Sequence, residues 1–162
     1  SWTRRTSVPE TSDTEATVIL LDTIGELPAT YSLATVVFVG GSIVDRGGHN
    51  VLEPAAAGAA VVTGAHTHNF HAIVDLMEEA GAIVQLPPAQ GADASEEFTR
   101  AVEKLLADAG ERAELGRRAK QLVAKNQGAA ERTMKLIAPL FSAKQHESSQ
   151  SDSMLPAKAH TS

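Results

Sequence analysis

Residues 40–58, GGSIVDRGGHNVLEPAAAG, combine five glycines with a histidine, an asparagine and a Glu-Pro pair. Glycine costs backbone entropy wherever it is held, so such a cluster indicates tight turns or the close approach of a ligand. Backbone N–H groups in glycine-rich turns, followed by a helix N-terminus, make a place where phosphate binds. Gly47 and Gly48 would admit an anion, and His49 could add a donor. The segment is neither a P-loop nor a dinucleotide-binding G-x-G-x-x-G motif.

Asn50 and Glu53 have two interpretations. An N-cap asparagine followed three residues later by a glutamate is close to a capping box, which needs no ligand. Pro54, however, biases Glu53 away from helical backbone angles. A glutamate held at a helix start and facing a crevice could accept hydrogen bonds from a ribose diol. The two roles can coexist, and the residues alone leave the choice open.

Three closely spaced histidines, His66, His68 and His71, invite a zinc hypothesis, since imidazoles bind zinc. No carboxylate or thiolate joins them at ligand spacing along the sequence. We therefore interpret them as loop and surface histidines and predict no metal site.

The order of short apolar runs and amphipathic segments predicts the fold. Buried strands are predicted at 17–22, 35–41, 59–64 and 82–86, and helices at 51–57, 69–81, 95–107, 111–125 and 129–141. Gly58 and Gly81 are expected just past two helix ends. The alternation predicts a parallel α/β sheet with helices on both faces, whose ligands bind beyond the carboxyl ends of the strands. The glycine-rich stretch and the residues from Asp22 to Glu26 follow two of these strands.

The composition narrows the class of protein. The chain has 162 residues, a net charge of -6 and no cysteine. One domain is expected from this length, and disulfides and thiolate metal sites are excluded. The acidic balance argues against nucleic-acid binding. Since no apolar run approaches about 18 residues and no signal peptide is visible, we expect a soluble, intracellular chain.

The chain begins with serine rather than methionine, which suggests a piece of a longer protein. Residues 142–162 are predicted to be a disordered tail.

Four stretches carry a family resemblance: DTIGEL (22–27), FVGGS…GGHNVLEPAAAG (38–58), GAHTHNF (64–70) and NQGAAERTMKLIAPLF (126–141). In this order and spacing they resemble the C-terminal half of the 3-deoxy-D-manno-octulosonic acid (Kdo) transferases of the lipopolysaccharide pathway. The resemblance covers about residues 2–141. Its most specific part is Gly-Gly-His-Asn-x-x-Glu-Pro, whereas Ala65 departs from the proline expected before His66.

The resemblance implies a GT-B glycosyltransferase, in which two Rossmann-like domains face each other across a cleft. Residues 1–141 would be the C-terminal, nucleotide-sugar binding domain, truncated at its start. The whole enzyme would transfer Kdo from CMP-Kdo to a lipid A precursor at the cytoplasmic face of the bacterial inner membrane. The missing N-terminal domain would contact the precursor and the membrane. The catalytic base is not assigned, and this chain alone is expected to be inactive.

The resemblance also implies a donor site without metal or other cofactor. Gly48, His49 and Asn50 would lie at the phosphate and ribose, and Glu53 would bind the ribose hydroxyls. The full predicted donor set is Arg5, Asp22, Thr23, Ile24, Gly25, Glu26, Gly40, Gly41, Ser42, Gly47, Gly48, His49, Asn50, Glu53, His66 and Asn69. Two alternatives are another GT-B nucleotide-sugar enzyme, such as an epimerase or a UDP-sugar transferase, and a non-enzymatic α/β binding domain.

Overall fold

The computed structural model describes residues 1–8 and 14–128, in which strands and helices alternate. The elements in chain order are β1 (Trp2–Arg4), β2 (Val18–Leu20), α1 (Leu27–Tyr31), β3 (Val36–Val39), α2 (Leu52–Ala57), β4 (Ala60–Thr63), α3 (His71–Glu79), β5 (Val84–Gln85) and α4 (Gly91–Ala107). A further helix, α5, begins at residue 109 and continues to 128. Residues 1–123 form one compact unit, and the described part of a second unit is residues 124–128.

The central sheet consists of β3, β4 and β5, all parallel, in the order β3-β4-β5. Val39 at the end of β3 pairs with Thr63, which in turn pairs with Gln85. The valines that fill these strands are β-branched and favour extended backbone. Because the strands are parallel, their carboxyl ends meet at one edge, and the loops that follow β3 and β4 lie there together.

Helices cover both faces of this sheet, because successive side chains of a strand point to opposite faces. On one face Val61 packs with residues of α3 such as Val74 and Met77. On the other face Val62 packs with Leu105 of α4. The predicted fold class, a parallel α/β domain flanked by helices, is confirmed.

The strand predicted at 17–22 differs from the expectation. β2 pairs in parallel with β1, which the sequence analysis did not predict, in a separate two-stranded sheet. The prediction that this strand is buried is wrong, since the side chains of Val18, Ile19 and Leu20 are 59%, 66% and 47% exposed. An apolar run is buried only where another layer covers it, and no layer within the described residues covers this one.

The four predicted helices that lie within the described residues are confirmed with shifted ends. α4 begins at Gly91 rather than at 95, and α5 extends beyond 125. Gly58 closes α2 with φ 83°. The strand predicted at 82–86 is reduced to Val84–Gln85, because the N–H of Ala82 still bonds to Met77 at the end of α3 (2.8 Å). The predicted helix at 129–141, the domain end at 141 and the tail at 142–162 lie outside the described residues.

Candidate functional site

The glycine-rich loop after β3 folds back on itself. Gly41, Gly47 and Gly48 have φ of 71°, 84° and 72°, a left-handed conformation that side chains rarely adopt. The N–H of Gly48 donates to the carbonyl of Gly41 at 2.8 Å. A Cβ on Gly41 would lie 3.2 Å from the ring of His49, and one on Gly47 would lie 2.3 Å from Nδ2 of Asn69. These glycines therefore serve the packing of the loop whether or not a ligand is bound.

Ser42 ties the ends of two strands together. Its side chain is fully buried; Oγ donates to the carbonyl of Val39 (2.7 Å) and accepts from the N–H of Gly64 (2.8 Å). Its carbonyl accepts from the N–H of His66 (2.8 Å). Since its hydroxyl is already bonded on both sides, Ser42 holds the loop in place. Gly40, by contrast, borders open space, with no atom within 4 Å of a Cβ built on it.

Asn50 and Glu53 form a bonded pair at the start of α2. Oδ1 of Asn50 accepts from the N–H of Leu52 (3.0 Å), and Nδ2 donates to Oε1 of Glu53 (3.2 Å). Asn50 thus satisfies the N–H of Leu52, the first residue of α2. The prediction that Asn50 is the N-cap is wrong, because the N-cap is Val51, one residue later, and it makes no side-chain capping bond. Glu53 bonds to the side chain of Asn50 in place of its backbone, so the reciprocal capping box is not formed. The Glu53 side chain is exposed and oriented by Asn50.

The residues from Asp22 to Glu26 are held by the N-terminal segment. Asp22 accepts from the N–H (3.2 Å) and from Oγ1 (2.6 Å) of Thr6. These bonds favour the charged carboxylate, and the Thr6 hydroxyl is the main cause that lowers the pKa of Asp22. Glu26 accepts from Arg5 (3.1 Å) and from the hydroxyl of Thr23. Both predicted carboxylates are therefore already bonded to protein groups.

Two of the residues predicted to bind the nucleotide-sugar donor have no such hydrogen bonds from their side chains. Ile24 is 104% exposed, and a Cβ on Gly25, whose φ is 89°, would meet no atom within 4 Å. They lie at the tip of the loop that precedes α1. Their roles as ligand contacts stay predictions.

Tyr31, which the sequence analysis did not single out, lies near Glu53. The helices α1 and α2 pack against each other, and Tyr31 is the last residue of α1. Its pKa is raised, first because the phenol is half-buried and second because the Glu53 carboxylate repels a phenolate. The signal in the sequence was a tyrosine at near-helical spacing from Leu27, which is equally typical of a packing residue.

Asp45 brings a carboxylate to two of the histidines, which sequence spacing could not show. Its Oδ1 lies 3.5 Å from Nδ1 of His68 and 3.8 Å from Nδ1 of His66. The third histidine, His71, pairs separately with Asp75 (3.2 Å). Within residues 1–8 and 14–128, no group of three or more potential metal ligands is close enough to hold a metal ion. The expectation that no metal is bound stays a prediction.

Asn69 closes the site on the side of α3. Its N–H donates to the carbonyl of Gly47 (3.1 Å), and its Nδ2 donates to that of Arg46 (3.3 Å). The structure thus brings together Gly41, Gly47, Gly48, His49 and Asn69 around one loop.

None of the helices in the described part of the chain is long and apolar enough to cross a membrane.

Comparisons with known proteins identify relatives of this chain. No protein-family model matches it. It is 39% identical over 135 residues to the 3-deoxy-D-manno-octulosonic acid transferase of Haemophilus influenzae. The matched residues make up 83% of this chain and 30% of the relative. It is 38% identical over 117 residues to the enzyme of the same name from Bordetella pertussis, with coverage of 72% and 26%.

A solved structure agrees with these relatives. The chain resembles the C-terminal CMP-Kdo binding domain of WaaA from Acinetobacter baumannii, with a TM-score of 0.63 and 31% identity, over 75% of this chain and 60% of that domain. The two relatives are named transferases, and the solved neighbour shares the parallel α/β fold of this chain. More narrowly, the chain is a homologue of the Kdo transferases, and its fold resembles the C-terminal domain of one of them. It spans less than a third of the length of the curated relatives described above.

Proposed function

We propose that this chain is the donor-binding part of a glycosyltransferase that transfers Kdo from CMP-Kdo to a lipid A precursor. The observation that carries the proposal is the exposed carboxylate of Glu53, held by Asn50 beside the closed glycine loop at the carboxyl edge of β3. Ligands of parallel α/β sheets bind at this edge. The structural neighbour is a CMP-Kdo binding domain, which supports the same ligand for this chain.

The glycine-rich loop would bind the phosphate of the nucleotide, and Glu53 would bind its ribose. Glu53 is an acceptor and suits the two hydroxyls of the ribose. His49, which is exposed and packs against Gly41, would donate to the phosphate. Negative charge develops on CMP as it leaves the sugar, and donors fixed in place before the reaction stabilise that charge most effectively. The left-handed glycines of the loop set the backbone position from which His49 would reach the phosphate.

The loop from Asp22 to Glu26 would form the other side of the nucleotide site. Its exposed tip, Ile24 and Gly25, offers apolar surface and backbone to a base. Arg5 is paired with Glu26 at 3.1 Å, so it would bind an anion only by sharing or leaving that partner. We therefore place Arg5 and Glu26 as the frame of this loop. The partly buried bond between Thr23 and Glu26 belongs to the same frame.

The remaining parts of the reaction would come from the rest of the enzyme. The acceptor, a lipid A precursor, and the inner membrane would be contacted by the N-terminal domain, at the cytoplasmic face of the bacterial membrane. The described residues suggest no catalytic base for the acceptor hydroxyl. We expect this chain to bind donor without transferring sugar, and we expect no metal in the reaction.

A second candidate is a non-enzymatic α/β domain, in which Asn50 only satisfies the first N–H of α2. The bond from Leu52 N–H to Asn50 is the observation that favours it. A third candidate, an enzyme acting on UDP-sugars, shares the ribose-binding glutamate.

Calorimetric titration with CMP, UMP and UDP separates the three. Selective binding of CMP supports the proposal. Selective binding of UDP would favour a UDP-sugar enzyme, and no binding by the folded chain would favour the capping role alone.

A further inference from the structure

A cavity of about 720 Å³ lies beside the glycine loop, between the residues after β3 and the first turns of α4. This volume is within the range of small-molecule sites. The cavity touches the predicted donor set only at His66 and includes neither Asn50 nor Glu53. It is therefore a separate space that borders the donor site.

The apolar wall of the cavity includes Ile43, Val44 and Phe98. The ring of Phe98 contacts Phe38 of β3 edge to face, with centroids 4.9 Å apart and an angle of 79°. This contact fixes the aromatic ring, which is half-buried. A fixed aromatic surface with a few polar groups around it can receive a small ring that is apolar on one face.

The polar wall consists mainly of groups that both donate and accept hydrogen bonds. It includes the amide of Gln90 and the hydroxyls of Ser95 and Thr99, all exposed. Within the described part of the chain, these three side chains make no hydrogen bond to another residue. Hydroxyl groups of a ligand match them, because a hydroxyl is both donor and acceptor.

The charge around the cavity disfavours an anion. Asp45 lines it, and α4 carries four carboxylates, Asp93, Glu96, Glu97 and Glu103, against the two basic residues Arg100 and Lys104. Arg100 is paired with Glu97 at 2.7 Å. His66 and His68 both face Asp45. Asp45 is the carboxylate that lines the cavity, so it would repel a phosphate or a sugar acid bound there, whereas it would not repel an uncharged sugar.

We propose that this cavity is a subsite for an uncharged sugar ring. It would pack against Phe98 and bond to Gln90, Ser95 and Thr99. This inference does not depend on the proposed function, because His66 is the one lining residue that belongs to the predicted donor-binding set. The sugar of the proposed donor is an acid, and its negative charge would be unfavourable in this cavity.

The test is titration of the 162-residue chain with N-acetylglucosamine, followed by the amide shifts of the protein. Saturable shifts are expected at Gln90, Ser95 and Thr99. The double variant Gln90→Ala/Thr99→Val should bind at least about tenfold more weakly, since it loses two hydrogen bonds. Both residues are exposed, so the variant should fold, and its CMP affinity should be unchanged. Glu53→Gln is the opposite control, because it should leave the N-acetylglucosamine affinity unchanged.

Three results would overturn the inference. The first is no saturable shift at tens of millimolar sugar. The second is equal or tighter binding of N-acetylneuraminic acid, a sugar acid, at the same residues. The third is an affinity for N-acetylglucosamine that the double variant does not change. If N-acetylglucosamine binds as expected while CMP does not bind at all, the proposed function fails and the sugar subsite stands.

Discussion

Asn50 bonds at the same time to the backbone of α2 and to the side chain of Glu53. Its Oδ1 accepts from Leu52 N–H at 3.0 Å, and its Nδ2 donates to Glu53 Oε1 at 3.2 Å. One side chain thus satisfies the first N–H of α2 and positions Glu53, the proposed ribose ligand. The two interpretations of the Asn-x-x-Glu motif are compatible, and substitutions of Asn50 can separate them.

Asn50→Asp should separate stability from binding. Aspartate still accepts from Leu52 N–H, so the free energy of unfolding should change little, whereas Asn50→Ala should lose about 1 kcal/mol. The new carboxylate repels Glu53 and no longer donates to it, so the CMP affinity of Asn50→Asp should fall at least about fivefold. Denaturant unfolding and calorimetry measure the two effects. Unchanged CMP affinity in Asn50→Asp would show that Asn50 does not position Glu53.

Gly47→Ala should destabilise the chain by about 1–3 kcal/mol through backbone strain and a steric clash. The new Cβ would lie 2.3 Å from Nδ2 of Asn69 at a φ of 84°. Gly25→Ala is the matched control, since Gly25 has a similar φ of 89° and open space around it. Urea unfolding of both variants measures the difference. Equal losses would mean that the packing against Asn69 contributes nothing beyond backbone strain.

Ser42→Ala should cost about 1–3 kcal/mol, because it leaves the buried N–H of Gly64 without an acceptor. The control is Ser32→Ala, whose exposed hydroxyl donates only to the carbonyl of Ala29 (2.8 Å). That variant should change stability by no more than about 0.5 kcal/mol. Thermal and denaturant unfolding provide both values. A Ser42→Ala variant as stable as wild type would show that the hydrogen bonds of Ser42 do not stabilise the connection between the ends of β3 and β4.

The pKa of Tyr31 should report its distance from Glu53. The chain has one tyrosine, so the absorbance change of phenolate formation follows Tyr31 alone. Its midpoint should lie above 10.0, and Glu53→Gln should lower it while leaving the effect of burial. Because the unfolded tyrosine ionises first, the folded state should lose stability as the pH rises from 10.0 through the folded pKa. An identical midpoint in Glu53→Gln would show that the Glu53 carboxylate is too far away to affect the ionisation of Tyr31.

Local signals in the sequence predicted much of the fold. The glycine after α2 and the apolar face of α3 depend on residues a few positions apart, and both were predicted correctly. The central strands were recognised from their valines. The exposure of β2 was not predicted, because burial of an apolar run depends on a layer that the run itself does not specify.

The contacts of the candidate site were harder to predict, because they join distant residues. Ser42 bonds to Gly64 across 22 positions, and Asp45 lies close to His66 and His68, more than 20 positions away along the chain. The motif Gly-Gly-His-Asn-x-x-Glu-Pro indicated where the site lies. Its internal geometry, including the neighbour Tyr31, required the structure.

The most direct test of the account is the affinity of the chain for CMP in wild type and in Glu53→Gln, with Glu79→Gln as the control. Glu79 is an exposed glutamate at the end of α3, away from the glycine loop. The account predicts that calorimetry detects CMP binding, that Glu53→Gln weakens it at least about tenfold through the lost charged hydrogen bonds, and that Glu79→Gln leaves it unchanged. A folded wild type that does not bind CMP, or equal binding by Glu53→Gln, would contradict the assignment of this edge as a donor site.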